Sequence, residues 1–513
     1  MDAVTFVTYM CPWLITLALI LLTTRFRHRK LNPPPGPKPW PIIGNFHLIG
    51  PLPHRSLNGL SKKYGPIMMV HFGSFPTVVA SSVETAKIFL KTHDLIFSDR
   101  PKTAAGKYTT YNYMDITWSQ YGPYWRQARK LCLIELFSTK RLESYEYIRV
   151  EELNSMLKSI FQNNNKPILI KDYLTNLSLN VISRMVLGKK YLDENNENSN
   201  SLNIVSPKEF KTMLDELFLL NGVFNLGDWI PCIKWLDIQG YVKRMKILGK
   251  KFDKFMEHVL DEHNDRRINE KENWVAKDMV DVLLQFANDP KLEVKFERIG
   301  VKAFSQDLIA GGTESSAVTV EWAMAELIRK PEVITKAIEE LDRVIGKERW
   351  VQESDIQHLP YIRAIAKETM RLHPVAPMLV PRMSRENVKV QGYDIPKGSV
   401  LLVNTFTIQR DPKVYENPEV FWPERFIENK IDVMGHDFEL LPFGTGRRMC
   451  PGYSLGLKVI ESSLANLIHG FNWKLPQNMK SQDVDMEELF GLSNPKRIPL
   501  TIVPEPRLPN HLY

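Results

Sequence analysis

The chain has 513 residues, 43% hydrophobic and 25% charged, which is ordinary for a globular protein and enough for a large core. Lys and Arg number 67 against 59 Asp and Glu; the net charge of +8 suits an anionic membrane surface or an acidic protein partner. No basic-aromatic motif for nucleic acid stands out, and four scattered cysteines (Cys11, Cys132, Cys232, Cys450) imply no disulfide framework and fit a reducing compartment.

In chain order, Ala3 to Thr24 carries no charge and is long enough to cross a bilayer, with Pro12 as a point for a kink. The basic run Arg25-Phe26-Arg27-His28-Arg29-Lys30 follows at once and places the remainder on the cytosolic side. A cleaved signal peptide prefers positive charge before the apolar run. Here Asp2 precedes it, so a retained anchor over 1–30 is expected. Residues 31–44 include Asn32-Pro33-Pro34-Pro35-Gly36-Pro37-Lys38-Pro39-Trp40-Pro41, which cannot form ladders and reads as a stiff, extended hinge.

Ile67 to Ser82 is rich in β formers and predicts a small sheet. Helical periods follow over Val83 to Thr92, Tyr124 to Phe137, Arg141 to Phe161 and Ile170 to Val186. Asn163 to Asn165 and Asp193 to Asn203 read as Asn-rich loops. Trp125 and Arg129 stand four apart on one helix face, where an indole N–H and a guanidinium can hold an anionic group. A surface cation–π pair is the plainer alternative. Asn221 to Gly240 holds Phe224, Leu226, Trp229, Ile230 and Trp235, unusual for a connecting segment. It reads either as dipping into a bilayer interface or as core packing.

Phe296 to Arg329 reads as one long helix interrupted by Ala310-Gly311-Gly312-Thr313-Glu314-Ser315-Ser316. Two glycines in mid-helix weaken the ladder and permit a local opening. An acid followed by hydroxyls then offers a proton relay. Asp307, seven before Glu314, shares its face and either touches a substrate or bonds a nearby loop. Glu368 and Arg371 lie three apart on another helix. A Pro-rich turn from His373 to Arg382 and a β-rich run from Val388 to Leu402 come next.

Leu441-Pro442-Phe443-Gly444-Thr445-Gly446-Arg447-Arg448-Met449-Cys450-Pro451-Gly452 sets one cysteine in a loop of Gly and Pro. A helix-like run, Tyr453 to Leu467, follows it. A thiolate at the positive N-terminus of a helix is stabilised in its charged form. No second Cys or His stands at zinc-ligand spacing. A lone thiolate suits the axial position of heme iron; a Gly-rich turn with a structural cysteine is the alternative.

Phe443, Gly446, Arg448, Cys450 and Gly452 fall on a ten-residue pattern that resembles the heme-binding signature of the cytochrome P450 family. Four other stretches resemble that family in the same order: Trp125 with Arg129, Ala310 to Ser316, Glu368 with Arg371, and Pro423-Glu424-Arg425-Phe426. The similarity spans the chain and is nearest to the plant microsomal type. It implies a mainly α P450 fold with a small β-rich lobe, an N-terminal transmembrane anchor, and a catalytic heme domain over 45–513. It implies heme with Cys450 as the axial thiolate. Trp125, Arg129, Arg382 and Arg448 would hold the propionates, with Phe443 and Gly452 beside the group. A buried Glu368–Arg371–Arg425 triad would fix the loop. Aligned on Gly312, Glu314 and Ser315 assist proton delivery. The family usually has threonine where Ser315 stands, and the other alignment gives the role to Thr313.

The implied reaction is monooxygenation at the endoplasmic reticulum membrane, with electrons from NADPH through NADPH-cytochrome P450 reductase. Arg126, Lys130 and Arg447 would meet that partner by charge. The implied pocket includes Tyr113, Phe224, Phe304, Asp307, Leu308, Ala310, Val375, Met378, Leu379 and Leu492. With no Lys or Arg among them to pair an anion, the expected substrate is a neutral, lipophilic plant specialised metabolite. It would be hydroxylated or oxidatively cleaved, with a terpenoid favoured and a flavonoid or other phenolic as the alternative. Two other classes compete: a reductase-independent heme-thiolate enzyme that rearranges peroxides, and a non-catalytic heme or sterol carrier. NADPH consumption separates them.

Overall fold

The computed structural model describes residues 31–190, 205–287 and 289–513. Among these residues no helix is long and apolar enough to cross a membrane. The expected anchor at 3–24 and the loop Asp193 to Asn203 lie outside the described residues.

The helices that frame the site are α1 (Pro53–Tyr64), α2 (Pro123–Leu131), α3 (Glu146–Gln162), α4 (Ile170–Leu187), α5 (Pro207–Gly222), α6 (Tyr241–Glu270), α7 (Met279–Ala287), α8 (Arg298–Thr313), α9 (Ser315–Arg329), α10 (Pro331–Val344), α11 (Pro360–Leu372) and α12 (Tyr453–Gly470). Proline opens α1, α2, α5, α10 and α11, where its missing N–H leaves no bond unmade. The Ser206 hydroxyl caps α5 by accepting from Glu209 N. Every residue of α9 from Ser316 to Ile328 is buried, so this helix runs through the centre of the molecule. One core cluster spans α2 to α12.

The β-rich lobe is small. Strands β1 (Ile67–Phe72), β2 (Phe75–Ala80), β3 (Ile168–Leu169), β4 (Arg382–Met383), β5 (Val388–Val390), β6 (Tyr393–Ile395), β7 (Val400–Val403), β8 (Phe471–Lys474) and β9 (Thr501–Pro506) make three sheets. The largest has the order β1-β2-β7-β4, with β2 and β7 parallel and the other pairs antiparallel. It positions Arg382 at its β4 edge.

Several predicted elements take a different form. The helix from Val83 becomes a π turn at Ile88–Thr92, and the one from Pro123 does so at Cys132–Leu136. The second widened turn buries both Cys132 and Leu136. The helix expected from Arg141 breaks at Tyr145. The segment 221–240 carries a short helix (Leu226–Trp229) and a 3-10 turn (Pro231–Leu236). Trp229 packs against the rings of Phe46, Phe72 and Phe75, so it is not free to dip into lipid; Trp235 is 80% exposed.

The proline-rich stretch is docked on the sheet. Prolines lack donors but keep acceptors, and Pro35 O accepts from Met69 N at 2.9 Å. Asn32 N donates to Asp394 Oδ2 at 2.9 Å. A Cβ on Gly36 would lie 1.9 Å from Met69 O, so glycine is required for this approach.

Candidate active site

The cysteine loop is shaped by two backbone bonds. Cys450 N donates to Phe443 O at 2.9 Å, and Met449 N donates to Gly446 O at 3.1 Å. Gly446 adopts φ 71°, and a Cβ there would meet Asp94 Oδ1 and Leu90 O at 2.7 Å. Asp94 instead receives Arg447 N at 3.1 Å, Arg447 Nη1 at 2.7 Å and Arg382 Nη1 at 2.7 Å. Phe443 packs on a small cluster with Met370, Tyr415, Phe426 and Leu440, which joins the loop to α11.

Cys450, Phe443, Arg448 and Gly452 line a cavity of about 330 Å³ together with Trp125, Arg129 and Arg382. Burial pushes the Cys450 thiol up, while the Gly452 N–H and the Arg129 charge pull it down. Four guanidiniums border this cavity: Arg100, Arg129, Arg382 and Arg448. Arg382 is paired with Asp94 and also donates to Thr445 O at 2.8 Å. Arg100 is bonded to the carbonyls of Thr117, Val380 and Pro381, and Arg448 to those of Ser98, Ile116 and Ser119. Neither has a carboxylate partner within ion-pair distance among the described residues. Arg129 makes no ion pair among the described residues. Burial lowers Arg448 to about 9, with Arg382 adding repulsion; burial and then Arg448 push Arg100 well down. Such a buried surplus of positive charge calls for anions in the cavity. It fits a flat group that carries carboxylates at one edge and a metal facing the thiolate.

The Trp125–Arg129 pair is arranged differently from the expectation. The indole N–H of Trp125 donates to Ile116 O at 3.1 Å, and it is Arg448 that lies over the Trp125 ring, 4.4 Å from its centroid. That leaves Arg129 as the member free to meet an anion. Arg100, Asp94 and Asp115 were not visible in the sequence, because no motif surrounds them. Asp115 is fully buried, with Oδ2 unpartnered and Oδ1 accepting from Trp118 N at 3.1 Å. Burial, with Asp307 second, holds its carboxyl well above the usual range.

The long helix breaks at Glu314, between α8 and α9. Gly312 lets α4 close in: a Cβ there would come within 2.6 Å of the Ile182 side chain. Ser315 and Ser316 line the cavity. The Ser315 hydroxyl donates back to Gly311 O at 3.0 Å. Thr313 is buried, donates to Ile309 O at 2.6 Å, and lies outside the lining. Glu314 also points away from the cavity. Ser493 Oγ donates to it at 2.5 Å, and Lys171 Nζ stands 3.8 Å off. Burial raises its carboxyl, which Ser493 and then Lys171 offset in part.

Of the expected pocket residues, Asp307, Leu308, Val375 and Leu379 line the cavity. Tyr113, Phe224, Phe304, Ala310, Met378 and Leu492 do not. Phe304 is fully buried against Phe296, and Phe224 and Met378 belong to the cluster over β1. Tyr113 turns its hydroxyl to Thr103 O at 2.9 Å. Ala310 packs on the main core, and Leu492 N lies against Gly222, 2.3 Å from where its Cβ would be. Asp307 bonds a loop: its carboxylate accepts from Ile116 N (3.2 Å), Thr117 N (3.1 Å) and Thr117 Oγ1 (3.0 Å). Burial raises it to about 6 despite these bonds.

Glu368, Arg371 and Arg425 meet in the interior. Arg371 Nε donates to Glu368 Oε2 at 2.7 Å and Nη2 to Oε1 at 2.8 Å, while Arg425 Nε reaches Oε1 at 3.1 Å. Trp422 N adds a fourth donor at 2.7 Å. Arg371 also holds the carbonyls of Gln409, Pro418 and Val420, so the triad ties α11 to the segment 409–425.

A lone, half-buried cysteine facing an arginine-rimmed cavity within a mainly helical fold defines a heme-thiolate protein. The family model described as Cytochrome P450 matches residues 34–501. The chain is 46% identical over 511 residues to trimethyltridecatetraene synthase of Zea mays, covering 95% of this chain and 91% of that protein. It is 45% identical to dimethylnonatriene synthase of Zea mays (97% and 96% covered) and 41% identical to flavonoid 3'-monooxygenase of Petunia hybrida (97% of each). Solved zebra fish cytochrome P450 structures with abiraterone and with progesterone share the fold. Their TM-scores are 0.74 and 0.75 at 24% and 25% identity, covering 89% of this chain and all of theirs. The chain belongs to the cytochrome P450 family and is of the plant type. It is a monooxygenase of that family, which uses heme with a cysteine thiolate and takes electrons from NADPH through a reductase.

Proposed function

We propose that this enzyme oxidises a neutral, lipophilic plant specialised metabolite, a terpenoid before a phenolic. The observation that carries this reading is the state of the polar groups in the cavity. Leu308, Val375, Ala376 and Leu379 make an apolar wall, and the acid beside them, Asp307, has its oxygens engaged by Ile116 and Thr117. A phenolic hydroxyl would have to displace these bonds, whereas a hydrocarbon body needs none. The names of the two maize relatives denote branched polyenes, which supports the same reading. A flavonoid hydroxylase is the second reading, favoured by the Petunia relative.

When bound, heme supplies reductive activation of dioxygen. Cys450 would supply its thiolate ligand, and Arg129, Arg448 and Arg100 would neutralise its carboxylates, with Arg382 held beside them by Asp94. Trp125 positions Arg448 by stacking. Ser315, at the cavity wall, hands a proton inward; Glu314, with Ser493 and Lys171, holds protons on the outer side of the helix break. Arg126 and Lys130, both exposed, receive the reductase, while the Arg447 side chain is spent on Asp94.

We place the enzyme at the endoplasmic reticulum membrane, with 1–30 as anchor, 31–44 as hinge and 45–513 as catalytic domain. Trp40, Ile42, Trp235, Leu236 and Ile238 are exposed apolar residues, and the Phe46–Trp229 ring contact brings their two segments side by side. Together they make a surface suited to the lipid interface. The test is a panel of neutral terpenoids, flavonoids and anionic or sugar-bearing compounds, in microsomes with reductase. Neutral terpenoids are expected to give heme spectral shifts and NADPH-dependent products. Tight, productive binding by anionic or glycosylated compounds alone defeats the reading.

A further inference from the structure

Away from the heme cavity, α3, α4, α12 and the segment Arg349 to Glu353 enclose a second cavity of about 190 Å³. Val181 and Val459 border both cavities and form a thin wall between them. One side of the second cavity is apolar, made by Leu153, Leu177, Trp350 and the two valines. The other side carries Arg149 and Lys458, which share one carboxylate. Arg149 Nη2 donates to Glu353 Oε2 at 2.8 Å, and Lys458 Nζ donates to the same oxygen at 2.9 Å. The Arg149 and Glu353 side chains are buried and Lys458 is partly exposed, so two cations on one anion leave a positive charge over beside the cavity. Arg349 adds nothing to this surplus, because Asp355 balances it at 2.6 Å. One helical turn past Lys458, Ser462 lines the same cavity; it is 7% exposed, and its hydroxyl has no partner.

We propose that this second cavity binds a small organic anion, a carboxylate on a short apolar body. The carboxylate accepts from Lys458 Nζ and Ser462 Oγ, which stand four apart on α12 and face the same space. It neutralises the surplus charge and satisfies the orphan hydroxyl at once. The apolar body lies against Leu153, Leu177 and Trp350. A neutral alcohol answers the hydroxyl but not the charge. Inorganic phosphate answers the charge but leaves the apolar wall wet. Because Val459 is shared, and α12 begins three residues past Cys450, an occupant presses on the helix that follows the thiolate loop.

The test uses heme-loaded enzyme whose active-site cavity is filled by a saturating heme-ligating azole. Octanoate is titrated by calorimetry, with 1-octanol and inorganic phosphate as comparisons. One equivalent of octanoate is expected to bind, with a small change in heme absorption. Octanol and phosphate should bind at least about tenfold more weakly, and Lys458→Met should weaken octanoate by a similar factor. Leu153→Trp fills the space and should abolish binding at normal heme content; if that variant does not fold, Ser462→Val should weaken octanoate instead. No heat with the unaltered enzyme overturns the proposal. So does equal affinity for octanol or phosphate, or octanoate binding that Lys458→Met leaves unchanged.

Discussion

Asp94 and Arg382 form a buried ion pair, Nη1 to Oδ1 at 2.7 Å, across 288 positions of sequence. The second oxygen of Asp94 takes Arg447 Nη1 and N. One carboxylate thus clamps the cysteine loop to the sheet edge at β4. Asp94→Asn keeps the shape and removes the charge, which leaves Arg382 buried without a counter-ion. The variant should lose about 3 kcal/mol of stability and shed heme on desalting. Unfolding curves and heme content that match the unaltered enzyme would refute the clamp.

Cys450→Ala should abolish the red-shifted absorption of the reduced carbon-monoxide complex, since no other thiol lines the cavity among the described residues. Persistence of that band would sink the thiolate assignment.

Ser315→Ala should raise peroxide release per NADPH consumed, and Ser315→Thr should preserve coupling. Thr313→Ala should change stability more than coupling, because its hydroxyl is bonded to Ile309 O and lies outside the cavity lining. The reverse pattern, measured by NADPH and peroxide stoichiometry, would move the relay to Thr313.

Glu368→Ala strands two guanidiniums, Arg371 and Arg425, in the interior. A loss of about 3–5 kcal/mol is expected, with poor heme retention. Stable, heme-replete protein with merely slower turnover would contradict a structural role.

Asp307 offers a pH test. Its carboxyl is raised from 3.8 to about 6, so the folded state binds more protons than the unfolded one between those values. Its contribution is therefore complete below about pH 4 and lost as the pH rises through about 6. In Asp307→Asn this fall should vanish, changing the difference from the unaltered enzyme by up to about 3 kcal/mol across that window. Denaturation curves at several pH values would show it, and parallel curves would exclude it.

The chemistry was legible where spacing encodes it. The ten residues from Phe443 to Gly452 announce the thiolate loop, and Glu368 with Arg371 announces a pair one helical turn apart. The helix break at Glu314 followed from two glycines before an acid. The long helix α6 was missed, although its buried residues Met245, Leu248, Phe252, Phe255, Val259 and His263 recur at helical spacing. The π turns escaped because a one-residue widening leaves no mark in composition. Asp94 and Arg100 escaped for a different reason: they act through partners hundreds of positions away or through backbone carbonyls. Phe304 and Phe224, expected in the pocket from the family resemblance, lie in core clusters instead, because a matching region does not tell a core-facing ring from a cavity-facing one.

The docking of the proline run has a mechanical consequence. Pro35 is bonded to Met69, Asn32 to Asp394, and Gly36 sits where no side chain fits. Residues 32–36 are therefore joined to the β-rich lobe as a lever and not as a leash. Torque on that segment turns the whole sheet, and Arg382 at its far edge turns with it. The tilt of the cysteine-lined cavity relative to the proline run is set by three residues that are absent from the cavity lining.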